Sequence, residues 1–132
     1  MPVAQCSCGG LTATVDAYSP VVAACHCLAC QRRSGSPFGT AAYFPVEAVT
    51  ITGERREWTR ATASGSTATT SFCPTCGGTI ALALARRPEM IGIPIGTFAD
   101  PHYPSPIRSV WEEDKHDWVE VTAFQHFPQG SQ

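Results

Sequence analysis

The chain has 132 residues and a formal net charge of -2, with 9 Lys and Arg set against 11 Asp and Glu. That length suits one domain with a core of ordinary size. The basic residues are dispersed and the total is slightly acidic, which argues against a nucleic-acid partner. No apolar run approaches the ~20 residues of a membrane helix, so no membrane partner is expected either.

Taken in chain order, short β-like runs alternate with turn residues. The start, MPVAQCSCGG, has no basic residues ahead of an apolar core, so no secretion signal is expected. Leu11–Ala17 alternates, with Leu11, Ala13 and Val15 on one face. A helical turn or two is expected at Leu28–Ser34, the only helix. Phe38–Phe44 and Val49–Thr52 read as strands closed by Pro45 and Gly53. Ser64-Gly65 predicts a turn between strands Glu57–Thr62 and Thr67–Phe72. Gly78–Ala85 fits strand or helix by pattern alone, and Pro88 ends it. Met90–Ile95 resumes an extended run, and Trp118–Phe124 reads as the last strand. Together these predict a mainly β single domain spanning residues 1–132, with its core over about 3–124 and a polar tail ending FPQGSQ.

The seven cysteines carry the chemistry. Their number is odd, and without a secretion signal they point to a reducing, cytoplasmic compartment where disulfides are not expected. Scattered buried thiols would be the plain reading, but these cluster: Cys6 and Cys8; Cys25, Cys27 and Cys30; Cys73 and Cys76. Spacings of one and two residues favour metal, and zinc ahead of iron–sulfur.

SFCPTCGG, Ser71–Gly78, is a zinc-knuckle sequence, with Gly77 free to take the positive φ of the turn exit. A redox C-x-x-C wants a βαβ context that is not seen here. CSCGG, Cys6–Gly10, supplies the other half of a tetrahedron. Sulfurs on one zinc lie about 3.8 Å apart, whereas i and i+2 of a flat strand stand roughly 6.5 Å apart. The C-x-C must therefore bend, which Gly9-Gly10 permits. Cys6, Cys8, Cys73 and Cys76 are expected to form a closed, structural zinc site that ties the N-terminus to a distant turn.

CHCLACQ, Cys25–Gln31, then offers three thiolates and no obvious fourth ligand. His26 lies between two ligands of a C-x-C and is expected to point to the opposite side. It is either a group behind the ligands or an ordinary core histidine. Three protein ligands and one open place are the pattern of a catalytic zinc. Three thiolates make a weak Lewis acid but suit a soft fourth ligand such as an external thiolate. The alternatives are a distant residue that completes a second structural site, or three thiols that wait for metal. His102, His116 and His126 read as surface histidines. Trp58, Trp111 and Trp118 read as core or edge packing, Arg55-Arg56 and Arg86-Arg87 as exposed turns, and Glu112, Glu113 and Asp114 as a solvated acidic face.

CSCGG (6–10), CHCLACQRRSG (25–35), SFCPTCGG (71–78), GTFADP (96–101) and VWEEDKHDW (110–118) occur in this order along nearly the whole chain. In this set the chain resembles the glutathione-dependent formaldehyde-activating enzyme family. The resemblance implies a mainly β zinc fold of the Mss4-like, or β-tent, type. It implies a structural zinc on Cys6, Cys8, Cys73 and Cys76 and a second zinc on Cys25, Cys27 and Cys30. The named activity is carbon–sulfur lyase chemistry, run in reverse as S-hydroxymethylglutathione synthesis. Many relatives carry Arg where this chain has Thr70, His where it has Ser109, and a second acid where it has Ala99-Asp100.

The expected mechanism binds the thiol of glutathione, or a similar compound, at the central zinc, where its sulfur adds to an aldehyde carbon. His26 or water is the candidate acid. Arg32 or Arg33 is the candidate clamp for a substrate carboxylate, because a guanidinium pairs with carboxylate in two parallel bonds. The rival readings are a zinc-stabilised binding module, as in the similar domain of centromere protein V, and a lyase for another small molecule.

Overall fold

A computed structural model describes residues 1–130. In chain order the elements are β1 (Val3–Gln5), β2 (Thr12–Val15), β3 (Val22–Cys25), helix α1 (Leu28–Ser34), β4 (Gly39–Pro45) and β5 (Val49–Thr52). There follow β6 (Arg56–Ala61), β7 (Thr67–Phe72), β8 (Thr79–Leu84), β9 (Met90–Ile93), β10 (Arg108–Val110) and β11 (Gln125–His126). Single 3-10 turns lie at Val46–Ala48, Ile95–Phe98 and Glu112–Asp114.

Two sheets form. The smaller has the order β1-β2-β5 and is antiparallel, and the larger runs β11-β10-β3-β4-β9-β8-β7-β6. Among the described residues only β10 pairs in parallel, with β3 on one side and β11 on the other. The alternation in β2 decides how the small sheet lies. Leu11, Ala13 and Val15 are all but fully buried, as expected, and meet Val22, Ala42, Phe44, Ile80 and Ile93 of the large sheet. Tyr18, Phe98 and Tyr103 close one side of this core, with ring centroids 4.4–5.4 Å apart. The β6–β7 hairpin turns at Gly65 (φ 84), as the Ser-Gly pair predicts. The ambiguous GTIALALA becomes strand because β7 and β9 flank it.

Several expectations differ from what is found. Trp118–Phe124 is no strand. Of its seven residues only Val119 is buried, so no apolar face exists to hold it on the sheet, and the pairing with β10 is made instead by Gln125–His126. The ending is engaged as far as Gln129, whose carbonyl accepts from Trp111 N–H at 3.1 Å. Trp58 and Trp118 are 61% and 74% exposed, so neither is core. Trp58 lies on the edge strand β6, where no neighbouring strand covers it. Arg56 opens β6 rather than sitting in a turn. The short strands β1, β3, β10 and β11 carry no pattern long enough to read without their partners.

Candidate metal centres

The outer cluster forms where two hairpin ends meet. After β1 the chain bends at Gly9 (φ 78), and Cys6 N–H donates to Leu11 O at 3.0 Å. This brings the Cys6 and Cys8 sulfurs to 3.6 Å from each other. After β7, Cys73 and Cys76 turn over Gly77 (φ 78), whose N–H donates to Cys73 O at 2.9 Å. Cys8 and Cys73 sulfurs are also 3.6 Å apart, and all four lie within 4.8 Å of one another. These spacings match those of a tetrahedral zinc thiolate site. The backbone favours thiolate: Leu11 N–H donates to Cys6 Sγ at 3.3 Å and Thr75 N–H to Cys73 Sγ at 3.4 Å. Backbone N–H groups of Gly78 and Cys8 bring Cys76 down to about 6. The donor set fits a metal held by four thiolates.

The central cluster is built by the β3–α1 junction. Cys25 ends β3, Cys27 caps the N-terminus of α1, and Cys30 lies in its first turn. Cys30 N–H donates to Cys27 Sγ at 3.4 Å. The three sulfurs lie within 4.8 Å of one another. Cys27 is held down to about 2 because the thiols of Cys25 and Cys30 donate to it, while Cys25 is driven far up by the same neighbours. Three thiolates this close repel one another, so a cation between them favours the ionised form of all three. This donor set too fits a metal, with three ligands from the chain.

His26 turns the other way. It is fully buried, its Nε2 meets Ser109 Oγ at 2.8 Å, and its ring packs near Phe38. Its Nδ1 has no partner. Burial keeps the imidazole neutral by lowering its pKa. The loop around it is pinned by backbone: His26 N–H donates to Val110 O at 3.0 Å, and Gln31 Nε2 donates to His26 O at 2.9 Å.

The two arginines part company. Arg32 lines a cleft of about 400 Å³ on one side of α1, with Gln31, His116 and Trp118. Arg33 lines a separate one of about 350 Å³, with Gly39, Gly78 and Thr97. A Cβ on Gly39 would stand 2.8 Å from Arg33 Nη2 and 3.9 Å from Cys30 Sγ. The guanidinium and the thiol therefore share the bare surface of Gly39. Neither arginine pairs with a carboxylate among the described residues.

Pattern reading missed the contribution of the far strands. Arg60 on β6 comes close enough to Cys27 for its charge to help hold that thiol down. Tyr43 on β4 feels Cys25 and Cys30. No local motif marks either residue; strand register and the coiling of eight twisted strands bring them there. The acidic run is one 3-10 turn, in which Glu112 accepts from His126 Nδ1 at 2.8 Å. His116, read as an ordinary surface residue, bonds Gln31 Oε1 at 3.0 Å.

The glutathione-dependent formaldehyde-activating enzyme family matches residues 1–114. The chain belongs to this family. The mainly β, Mss4-like architecture that the resemblance implied is the one found. A crystal structure of a Rhodobacter sphaeroides protein shares the fold, with TM-score 0.56 and 21% identity over 72% of this chain and 85% of that one. No curated protein matches. Of the residues that the resemblance set apart, Ser109 holds His26, Asp100 accepts from Tyr18 Oη at 2.7 Å, and Thr70 pairs with Trp58 in the β6–β7 ladder. No helix among the described residues is long and apolar enough to cross a membrane.

Proposed function

We propose that this chain is a zinc-dependent enzyme of carbon–sulfur lyase type that joins a small aldehyde to a thiol such as glutathione, and releases it again. The observation that carries this reading is a three-cysteine cluster beside an unpaired guanidinium, in a chain whose family is named for glutathione and formaldehyde.

Cys25, Cys27 and Cys30 hold the catalytic zinc, and Cys6, Cys8, Cys73 and Cys76 the structural one. When bound, zinc on three thiolates supplies a soft acceptor that keeps a substrate sulfur ionised at neutral pH. Arg33 is the clamp for the substrate carboxylate; its place over Gly39 supports it, while Arg32 lines a different cleft. The cleft at Arg33 also offers the hydroxyls of Thr40 and Thr79 to a peptide-like thiol. His26 serves by holding the Cys25–Cys27 loop through Ser109, since its buried ring is closed to solvent. The protein works in the cytoplasm, where a reducing environment keeps thiols available.

The test is glutathione-dependent consumption of formaldehyde by the zinc-loaded protein, together with a rise in melting temperature on adding glutathione. Cys27→Ser is expected to abolish both. A wild-type protein that neither binds glutathione nor turns over overturns the reading in favour of a zinc-stabilised binding module.

A further inference from the structure

Among the described residues, the cleft at Arg33 is lined by one charged side chain, the Arg33 guanidinium, and by no Asp or Glu. That guanidinium pairs with no carboxylate of the described chain. It stands over Gly39, where a Cβ would be 2.8 Å from Nη2 and 3.9 Å from Cys30 Sγ. Two points of a substrate follow from this juxtaposition: its sulfur beside Cys30 and its carboxylate in the fork of Arg33.

What surrounds those points decides what else the substrate can carry. The Ser34 hydroxyl donates to Cys30 O at 2.8 Å and the Thr97 hydroxyl to Pro94 O, which leaves those of Thr40 and Thr79 to the cleft. Carbonyls along the wall are occupied as well. Gly78 O accepts from Cys73 N–H at 2.9 Å, Pro94 O from Thr97 N–H at 3.1 Å, and Gly96 O from Ala99 N–H at 3.0 Å. Uncharged amides and hydroxyls of a ligand find partners in such a cleft. An ammonium would leave water for a place with no anion, beside a guanidinium of its own sign.

We propose that this cleft selects thiols that carry a carboxylate but no ammonium near the sulfur. It takes mercapto acids and N-acylated cysteines and refuses free cysteine. The inference rests on the thiol–aldehyde reading above and narrows the class of thiol. Glutathione meets both conditions. Its cysteine nitrogen is an uncharged amide, its glycine ends in a carboxylate, and its ammonium lies at the far end of the γ-glutamyl arm. Discrimination therefore comes from what the cleft lacks, an acidic side chain, as much as from the guanidinium it has.

The experiment is calorimetric titration of the zinc-loaded protein at neutral pH with β-mercaptopropionate, N-acetylcysteine and cysteine, with retained zinc checked by elemental analysis. The three ligands share one spacing of sulfur and carboxylate. They differ at the carbon between, which bears hydrogen, an acetamide or an ammonium. The ammonium also makes the thiol of cysteine the most acidic of the set, so ionisation alone would place cysteine first. The expected order is the reverse, with the first two within about fivefold of each other and cysteine weaker by about 30-fold or more. Gly96→Asp supplies the missing carboxylate, since a Cβ at Gly96 would meet nothing within 4 Å. It is expected to bring cysteine to within about fivefold of β-mercaptopropionate. Cysteine binding wild type as tightly as β-mercaptopropionate overturns the proposal. So does a wild-type preference that Gly96→Asp leaves unchanged, which would put the discrimination outside this cleft. A wild type that binds neither glutathione nor any of the three defeats the thiol–aldehyde reading itself, and the selection with it.

Discussion

His26 Nε2 and Ser109 Oγ meet at 2.8 Å with both side chains fully buried, and through this bond strand β10 holds the loop that carries Cys25 and Cys27. The other ring nitrogen, Nδ1, has no partner. One hydrogen bond therefore sets the orientation of the whole imidazole. Removing it leaves a second buried nitrogen unsatisfied, which costs about 1–3 kcal/mol. Ser109→Ala is expected to lose stability of that size in urea unfolding of the zinc-loaded protein. It is also expected to release zinc from the central cluster to a chelator faster than wild type. Unchanged stability and unchanged release would mean that the loop is held by its backbone bonds alone.

Gly39 is the place to test Arg33 without touching Arg33. A Cβ there meets Nη2 at 2.8 Å, and a flexible guanidinium moves aside at little cost to the fold. A charge-assisted bond to a carboxylate contributes about 1.5–3 kcal/mol. Gly39→Ala is expected to raise KM for glutathione by about tenfold or more, with kcat nearly kept, because binding energy is lost equally from ground and transition states. Arg32→Ala, in the other cleft, should leave KM near wild type. Equal effects of the two changes would remove Arg33 from the carboxylate.

The two cysteine clusters were legible because ligand spacing is a local property. C-x-C, C-x-x-C and the glycines that follow them carry their turn geometry within a few residues. The inward face of Leu11, Ala13 and Val15 and the Ser64-Gly65 hairpin were legible for the same reason. What stayed hidden depends on register between distant segments. Val22–Cys25 and Arg108–Val110 are too short to show a period, yet their parallel pairing puts Ser109 behind His26. Trp118–Phe124 is rich in β-forming residues, but only Val119 finds a core to enter. The split of Arg32 from Arg33 follows the helical rotation of about 100° per residue, and which one reaches Cys30 is decided by Gly39 of a neighbouring strand.

The clusters are expected to differ in what their loss does. Cys6 and Cys73 are buried in the same core cluster as Leu11 and Ile80, and their site joins the β1–β2 end to the β7–β8 end of the chain. Metal there closes a loop of more than sixty residues, spanning the 65 positions from Cys8 to Cys73. Cys73→Ser is expected to give protein that fails to fold or melts far below wild type. Cys27→Ser should stay folded, because Cys27 is only half-buried at the cap of a seven-residue helix. Elemental analysis should then read two zincs per wild-type chain and one in Cys27→Ser. Equal zinc in both would show that the central triplet holds no metal of its own.

The pair of Glu112 and His126 ties β11 to the turn after β10 and gives stability a pH window. Their contact is 2.8 Å. The hydrogen bond it donates to Glu112 raises His126 above 6.5. Burial is the largest influence and raises Glu112, but hydrogen bonds from His126 and Ser109 and the charges of His126 and Lys115 together outweigh it and leave the carboxyl below 4.5. For His126 the contribution is full below 6.5 and fades as pH climbs through the raised folded value. For Glu112 it is full above 4.5 and fades as pH falls through the lowered folded value. The pair is therefore at its strongest between 4.5 and 6.5. Both groups lie near the surface, so the effect is small and weakens with salt. His126→Gln should cost stability near pH 6 and almost nothing near pH 9, where the wild-type histidine is neutral. Urea midpoints of the two zinc-loaded proteins at both pH values measure the difference. A gap that is the same at both would mean that the contact acts as a neutral hydrogen bond, without the charge.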